Sequence, residues 1–407
     1  MTERLYYYDS FLREFTAKLQ RVVQDHGRDA VILDRTAFYP TSGGQLFDTG
    51  TLEAVGTRFE VSEVAEDASG DVLHYIKAGD VPLEPGAEVR GSVNSERRRD
   101  HMQQHSGQHV LSAAFVQLFD APTISFHMGS ESCTIDIVRT NLASRQLEEA
   151  EALANRVITD DRPVEIHFAS AKEARVRGVR KLPPFETEGG KYRLIDIEDF
   201  DVTACGGTHV SRTGQIGAIL LRKTENVKQG TRIEFVCGER AVRTARREYA
   251  VLNEAAGVYS THLFEVPQQI RKSLEEAKAA HKAQQALFEE LAELRAAQLL
   301  AEAQTRSGRK VVRRVFPDRD AAFVKLLAQK IARTDAAVAL LACTAGEPML
   351  VFAQTPGLPF NMGALMKETA AELGGRGGGS TDFAQGGAAD VAKIEQVLAK
   401  LASELYR

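Results

Sequence analysis

Apolar and polar positions alternate in short runs from Glu14 to Val93. Phe15, Ala17 and Leu19 alternate with Thr16 and Lys18, Ala30 to Leu33 form a buried run, and Asp34, Gly50, Gly70 and Gly86 close the segments. A period of two broken by turn formers predicts a small all-β unit, a barrel. At Asn94-Ser95 the pattern changes, because a capping residue is followed by Glu96 and a helical stretch to about Phe119. A unit of mixed helix and sheet follows. It has a strand around Cys133, Ile135 and Ile137, a helix from Arg145 to Thr159, a strand from Val164 to Phe168 and a helical turn from Ser170 to Arg177. A hairpin, Ile216 to Lys223 and Arg232 to Val236, closes it. Beyond Glu239, Ala, Glu, Lys, Gln and Leu dominate, with Leu274, Ala277, Ala280, Leu287, Leu291 and Leu294 at helical spacings and no proline from Gln268 to Arg306. Residues 263–306 as one helix would run roughly 65 Å, which suits a spacer or a dimerising hairpin. After Gly308, strands over Lys310–Phe316, Ala336–Ala342 and Met349–Ala353 and helices over Ala321–Ala332 and Asn361–Leu373 predict a compact α/β domain. The expected class is α+β in four parts: a small β-barrel over 1–94, a mixed α/β core over 95–240, a long helical linker over 241–306 and a C-terminal α/β domain over 307–407.

The length of 407 residues fits two to three domains at roughly 150 residues each. Hydrophobic content of 43% and charged content of 26% exclude a disordered or collagen-like chain. The opening MTERLYYYDS has no signal-peptide core, and no window approaches the roughly 18 uninterrupted apolar residues of a membrane span, so a cytoplasmic location with no membrane partner is expected. Cysteines at 133, 205, 237 and 343 are too dispersed for a disulfide framework. A net charge of −5 argues against a general nucleic-acid coat. Positive charge is nevertheless clumped at Arg97-Arg98-Arg99, at Arg175, Arg177, Arg180 and Lys181, at Arg240, Arg243, Arg246 and Arg247, and at Arg309, Lys310, Arg313 and Arg314. Taken singly, each island reads as solvated surface.

Candidate chemistry begins with His101-Met-Gln-Gln-His105-Ser-Gly-Gln-His109, which puts His105 and His109 on one helical face, four residues apart. Cys205-Gly-Gly-Thr-His209 adds a thiol and an imidazole, with two glycines that let a loop fold round an ion. Together they make a His3Cys set for Zn²⁺. An ion filled by four protein ligands has no open position for water, so either one ligand is loose or the metal positions substrate. A metalloprotease is excluded, since Ser106 stands where that motif needs Glu. His101, His127 and His167 read as packed or surface residues, and Cys133 and Cys237 as small core residues.

Two glycine-bearing segments complete the set. In Thr36-Ala-Phe38-Tyr39-Pro40-Thr-Ser-Gly43-Gly44-Gln45, the Gly-Gly turn lets backbone amides approach a ligand beside Thr36 and Gln45, a plain hairpin turn being the alternative. Gly374-Gly-Arg376-Gly-Gly-Gly379 to Gly387 is either a floppy linker or a backbone against which something large lies.

In this order the motifs resemble the editing half of alanyl-tRNA synthetase over nearly the whole chain, and the chain is similar to the stand-alone alanyl-tRNA editing proteins of the long AlaX type. The resemblance implies that 95–240 is a zinc-binding editing core and 307–407 a glycine-rich domain that binds tRNA or dimerises. It implies zinc ligands His105, His109, Cys205 and His209, and a site containing Thr36, Gly43, Gly44 and Gln45. The family usually has a third glycine where Ser42 stands and Ala-Thr where Gly107-Gln108 stand. The Asp-His-His signature of phosphodiesterases that share the C-terminal module is missing, and Asp100-His101-Met102 is the nearest approach. The implied reaction is trans-editing, the zinc-dependent hydrolysis of mischarged Ser-tRNA(Ala), with Gly-tRNA(Ala) as the second candidate. Thr36 would bond the seryl hydroxyl, Gln45 or the Gly43-Gly44 amides would stabilise the oxyanion, and Arg97, Arg98, Arg99, Arg180, Lys181 and Arg376 would meet tRNA phosphates. A homodimer through the long helix or the C-terminal domain is expected. A zinc-containing tRNA-binding module without hydrolysis, or an editor of another mischarged tRNA, is the alternative.

Overall fold

The computed structural model of the protein describes residues 1–77, 84–180, 182–183 and 189–406. Two compact units divide it, Met1–Glu254 and Ala255–Arg407.

The first unit opens with a closed antiparallel barrel of β1 (Glu14–Asp25), β2 (Arg28–Leu33), β3 (Gly50–Ala54), β4 (Thr57–Glu66), β5 (Val72–Ile76) and β6 (Glu88–Val93), ordered β1-β2-β5-β4-β3-β6. The alternation read from sequence is its cause. Phe15, Ala17 and Leu19 point inward with Val31, Leu33, Val61, Val64 and Val72, and closure leaves no open edge. A two-residue strand, Glu3–Arg4, pairs in parallel with Arg35–Thr36.

Asn94 caps the next helix, α1 (Ser95–Phe119), its Oδ1 accepting from the N–H groups of Glu96 and Arg97. Residues 101–115 of α1 are buried on every side. The helix packs between α2 (Ser144–Thr159) and a four-stranded sheet ordered β12 (Ile219–Val227), β13 (Gly230–Cys237), β8 (Cys133–Ile137) and β7 (Thr123–Met128). Three more strands, β9 (Val164–Ala169), β10 (Tyr192–Ile197) and β11 (Asp201–Ala204), form a second sheet, with α3 (Ala171–Val176) after β9. Strand β10 escapes the sequence pattern because Arg193 is fully buried in line with Tyr192, Leu194 and Ile195, which erases the alternation.

Gly107 explains itself here. A Cβ at that position would meet Cys237 Sγ far inside van der Waals contact, with Ile216 Cγ2 at 3.3 Å, so α1 and β13 approach as closely as they do because the side chain is missing. Helix propensity alone favours Gly107→Ala by about 1 kcal/mol. The packing predicts the reverse sign, a loss of about 1–3 kcal/mol in denaturant unfolding. An equal or raised midpoint would contradict this packing.

The helical stretch expected over 241–306 is two helices, α4 (Gly238–Val258) and α5 (Val266–Glu302), because the chain turns at Tyr259–His262 with Ser260 at φ 50° and Pro267 starts the second helix. In the second unit α5 alone is about 55 Å long. Its last turns bury Ala292, Ala296, Leu299 and Leu300 against α6 (Ala321–Ala332), while Leu274, Leu287 and Leu294 are exposed. A mixed sheet follows, running from Thr305–Arg306 through β14 (Arg309–Phe316), β15 (Ala337–Cys343), β16 (Met349–Gln354) and β18 (Phe383–Gly387) to β17 (Gly377–Gly379), with α7 (Met362–Glu372) and α8 (Ile394–Glu404) packed on it.

The glycine-rich segment is neither linker nor open loop. Gly377–Gly379 pairs antiparallel with Ala384–Gly386, and Cβ atoms at Gly377 and Gly386 would each press on Met366 of α7 at 2.8 Å. What lies against this backbone is the protein's own helix. Among the described residues, no helix is long and apolar enough to cross a membrane.

Candidate metal centre

His105 and His109 leave α1 on one face, with ring centroids 5.1 Å apart. The loop after β11 brings Cys205 and His209 to them. Cys205 Sγ lies 3.4 Å from His105 Nε2 and 3.4 Å from His209 Nε2, and one donor atom from each of the four residues falls within 4.8 Å of the others. Ligand atoms about 2.0–2.3 Å from a tetrahedral zinc stand roughly 3.3–3.6 Å apart, which is this spacing.

The donors suit such an ion chemically. Burial takes His105 down to about 3 and holds His109 and His209 well below the ordinary imidazole value, so all three rings are neutral. Both nitrogens of His109 are buried without a hydrogen-bond partner. Leaving a buried polar atom unpaired costs about 1–3 kcal/mol, and a cation in the cage would supply the partner. Burial pushes the Cys205 thiol up, against the pull of the Gly207 N–H and the Arg193 charge. Neutral imidazoles with one sulfur form a borderline-soft set of the kind zinc takes.

The surrounding side chains aim the ligands. Gln45 is fully buried. Its Oε1 accepts from His105 Nδ1 at 2.7 Å and from Thr208 N at 3.1 Å, and its Nε2 donates to Thr208 Oγ1 at 2.9 Å. With Nδ1–H given to Gln45, His105 keeps the Nε2 lone pair turned to the cage. Ser106 Oγ accepts from Val210 N and lies 3.3 Å from His209 Nδ1, close enough to accept an Nδ1–H, the tautomer that would leave the Nε2 lone pair to the cage. Arg193 donates to Cys205 O at 2.6 Å and Gly207 O at 3.0 Å, and to Tyr7 O at 2.8 Å, pinning the loop. A Cβ on Gly207 would strike the His105 ring and would sit 2.9 Å from Gln45 Oε1. Gln45→Leu should therefore weaken metal affinity by about 10- to 100-fold with the fold retained. A competition titration with a chromophoric chelator checks this, and unchanged affinity would contradict the assigned tautomer.

The cage opens into a cavity of about 690 Å³, lined among others by Tyr7, Tyr39, Gly43, Gln108, Phe126 and Gly206. Gly43 and Gly44, at φ +54° and +84°, form the turn between Ser42 and Gln45, whose backbones bond each other. Neither glycine N–H donates to a described residue, so both remain open as donors. At Gly44 a Cβ would enter Phe126 O, whereas at Gly43 it would meet nothing within 4 Å.

Gln45, expected to meet the ester, does not line the cavity; it is spent on His105 and Thr208. Thr36 also does not line it. The Thr36 hydroxyl accepts from Phe38 N at 3.0 Å and lies 2.7 Å from His74 Nε2, while His74 Nδ1 faces Val31 O at 3.1 Å. Burial takes His74 to about 4, so the neutral ring gives its Nδ1–H to the carbonyl and accepts the threonine proton at Nε2.

The basic residues divide. Arg98, expected to meet phosphate, is 0% exposed and held by Asp48, Ser10 O and Ala37 O, so that expectation is corrected: it ties α1 to the barrel. Arg97 donates to Phe47 O at 2.8 Å, and Arg180 makes a double ion pair with Asp201. Arg99 and Arg376 are exposed, whereas Lys181 lies outside the described residues. His101 is buried, His127 exposed and His167 beside Glu165 at 3.2 Å. Cys133, Cys237 and Cys343 are core residues. Ser106 and Arg193 were missed by sequence reasoning, and no motif marks either.

Family models match the chain in three places. Residues 5–97 match tRNA synthetases class II (A), 192–234 the threonyl and alanyl tRNA synthetase second additional domain, and 312–407 the DHHA1 domain. Barrel, cage and these matches define the class, a protein assembled from tRNA-synthetase modules. The chain is 34% identical over 400 residues to the alanyl-tRNA editing protein AlaX-L of Pyrococcus horikoshii, covering 95% of this chain and 94% of that protein. The chain belongs to this family of alanyl-tRNA editing proteins. It is also 32% identical to the alanine–tRNA ligase of Pyrococcus abyssi and 34% identical to that of Archaeoglobus fulgidus, each over 98% of this chain and 43% of the ligase. The chain thus spans less than half the length of those ligases. The solved C-Ala domain of Aquifex aeolicus alanyl-tRNA synthetase aligns with 26% of this chain and 98% of its own at 23% identity and a TM-score of 0.24.

Proposed function

We propose that the protein is a trans-editing hydrolase that removes serine, and glycine as the second candidate, from mischarged tRNA(Ala), with Zn²⁺ held by His105, His109, Cys205 and His209. The observation that carries the reading is the His3Cys cage opening into the same cavity as Gly43 of the Gly-Gly turn, in a chain that matches an alanyl-tRNA editing protein over 95% of its length. Bound by all four residues, the zinc would have no open position for the ester and would supply a local positive charge and a fixed anchor that positions the 3′-terminal nucleotide or the aminoacyl group.

The chain's own residues do the rest. A water adds to the ester carbonyl, the Gly43 and Gly44 N–H groups donate to the oxygen that gains charge, and the ribose oxygen leaves with a proton, giving free amino acid and uncharged tRNA. Gln45 and Ser106 act one shell out, as positioning residues for the cage. Thr36 retains one use in this scheme. Its proton is committed to His74 and one lone pair to Phe38 N–H, and it is fully buried behind the cavity wall, so its remaining lone pair would accept from a seryl hydroxyl only where the wall moves to uncover it. A site built to bond a hydroxyl rejects its absence by roughly 10⁴- to 10⁵-fold. Exposed Arg99 and Arg376 remain the candidates for phosphate contacts, which should weaken with salt.

Deacylation of Ser-, Gly- and Ala-tRNA(Ala) by the purified protein tests the reading. Loss of the seryl ester with the alanyl ester spared is expected. Tight tRNA binding with no ester cleaved would favour a binding module instead.

A further inference from the structure

The wall of the cavity carries one carboxylate among its described residues, Glu66, at the end of β4. It is not left to its own rotamer. Arg4 Nη2 lies 2.7 Å from Glu66 Oε1, Arg4 Nη1 donates to Tyr7 Oη at 2.8 Å, and Arg4 Nη2 also reaches Gly70 O at 3.4 Å. The Arg4 side chain is 16% exposed and that of Glu66 35%, so the arginine is the enclosed member and the carboxylate the one that meets solvent. Glu66 Oε2 makes no hydrogen bond to any described residue. Arg4, Tyr7 and Glu66 all line the cavity into which the cage opens.

An aminoacyl ester brings one cation to such a site, its α-ammonium, with a pKa of about 7.7–8.0 for an α-amino group. Glu66 is the one carboxylate on the described wall, and so the group there of the sign that would meet this cation. We infer that Glu66, held by Arg4, accepts a hydrogen bond from the α-ammonium of the aminoacyl ester and so orients the carbonyl within the cavity. The inference rests on the editing reading and deepens it. It assigns a substrate-binding role to Glu66 and a positioning role to Arg4, and it makes an α-amino group part of what the cavity selects.

The test compares two tRNA(Ala) esters, seryl and glyceryl, the second carrying a hydroxyl in place of the α-amino group. Glu66→Gln should lower kcat/KM for the seryl ester by about 10- to 100-fold, the range of a charge-assisted hydrogen bond. On the glyceryl ester it should stay within about twofold of the unsubstituted protein. Metal content and unfolding midpoint, measured alongside, show whether the variant is folded, and Glu66→Asp, which keeps the charge, should fall between the two on the seryl ester. An equal loss on both esters, or no loss on either, would overturn the role of Glu66. Failure of the unsubstituted protein to cleave the seryl ester would overturn the editing reading, and this inference with it.

Discussion

Cys205→Ala should abolish metal retention and seryl-ester hydrolysis together. The sulfur sits 3.4 Å from both His105 Nε2 and His209 Nε2, so it is the atom the cage closes on. Removing it leaves three neutral, buried imidazoles whose mutual placement is set by α1 and by the Arg193-pinned loop. The fold should survive, because the Cys205 backbone carries the contacts that shape the loop, its carbonyl to Arg193 and its N–H to Arg193 O. Elemental analysis should fall from about one zinc per chain toward zero, and the deacylation rate by about 10³-fold or more, the scale on which losing a ligand outweighs losing an outer-shell partner. A variant that kept its metal, or kept its rate without metal, would contradict the cage as drawn.

Asp48→Ala should produce the largest loss of stability, about 3–5 kcal/mol, because it strands a buried arginine. Both side chains are 0% exposed, with Arg98 Nη2 2.6 Å from Asp48 Oδ2. The carboxylate also accepts from Tyr39 N at 2.7 Å, and Arg98 donates to Ser10 O at 2.8 Å and to Ala37 O. Ser10 in turn accepts from His209 N through its Oγ at 3.1 Å. The pair therefore joins the barrel, α1 and the loop of the cage, and its loss should loosen all three. Denaturant unfolding measures the effect, and a change below about 1 kcal/mol would mean that the pair is solvated in solution.

Much of this architecture was legible before any coordinates. The barrel shows as a period of two, α1 begins at the Asn94 cap, and the C-terminal strands and helices fall where apolar runs and caps put them. The convergence of His105, His109, Cys205 and His209 was legible because thiol and imidazole spacing is chemistry written along the chain. What was not legible depends on partners distant in sequence. Arg98 reads as one of three surface arginines until Asp48 is found 50 residues away. Gln45 reads as a substrate contact until His105 and Thr208 claim its amide. The Gly374–Gly387 run reads equally as a linker or as a backbone with something large against it, because composition does not show that Met366 needs the space its side chains would fill. The single helix read over 263–306 is present as α5, whereas the turn at Tyr259–His262 that separates it from α4 carries no mark in the composition.

The central claim is that the metal in this cage serves ester hydrolysis. Its most direct test is the rate of serine release from Ser-tRNA(Ala) by chelator-stripped protein, before and after one equivalent of zinc is restored, with circular dichroism followed throughout. The account predicts a stripped protein that remains folded, is inactive and regains its rate with zinc. Full activity in folded, zinc-free protein would contradict it.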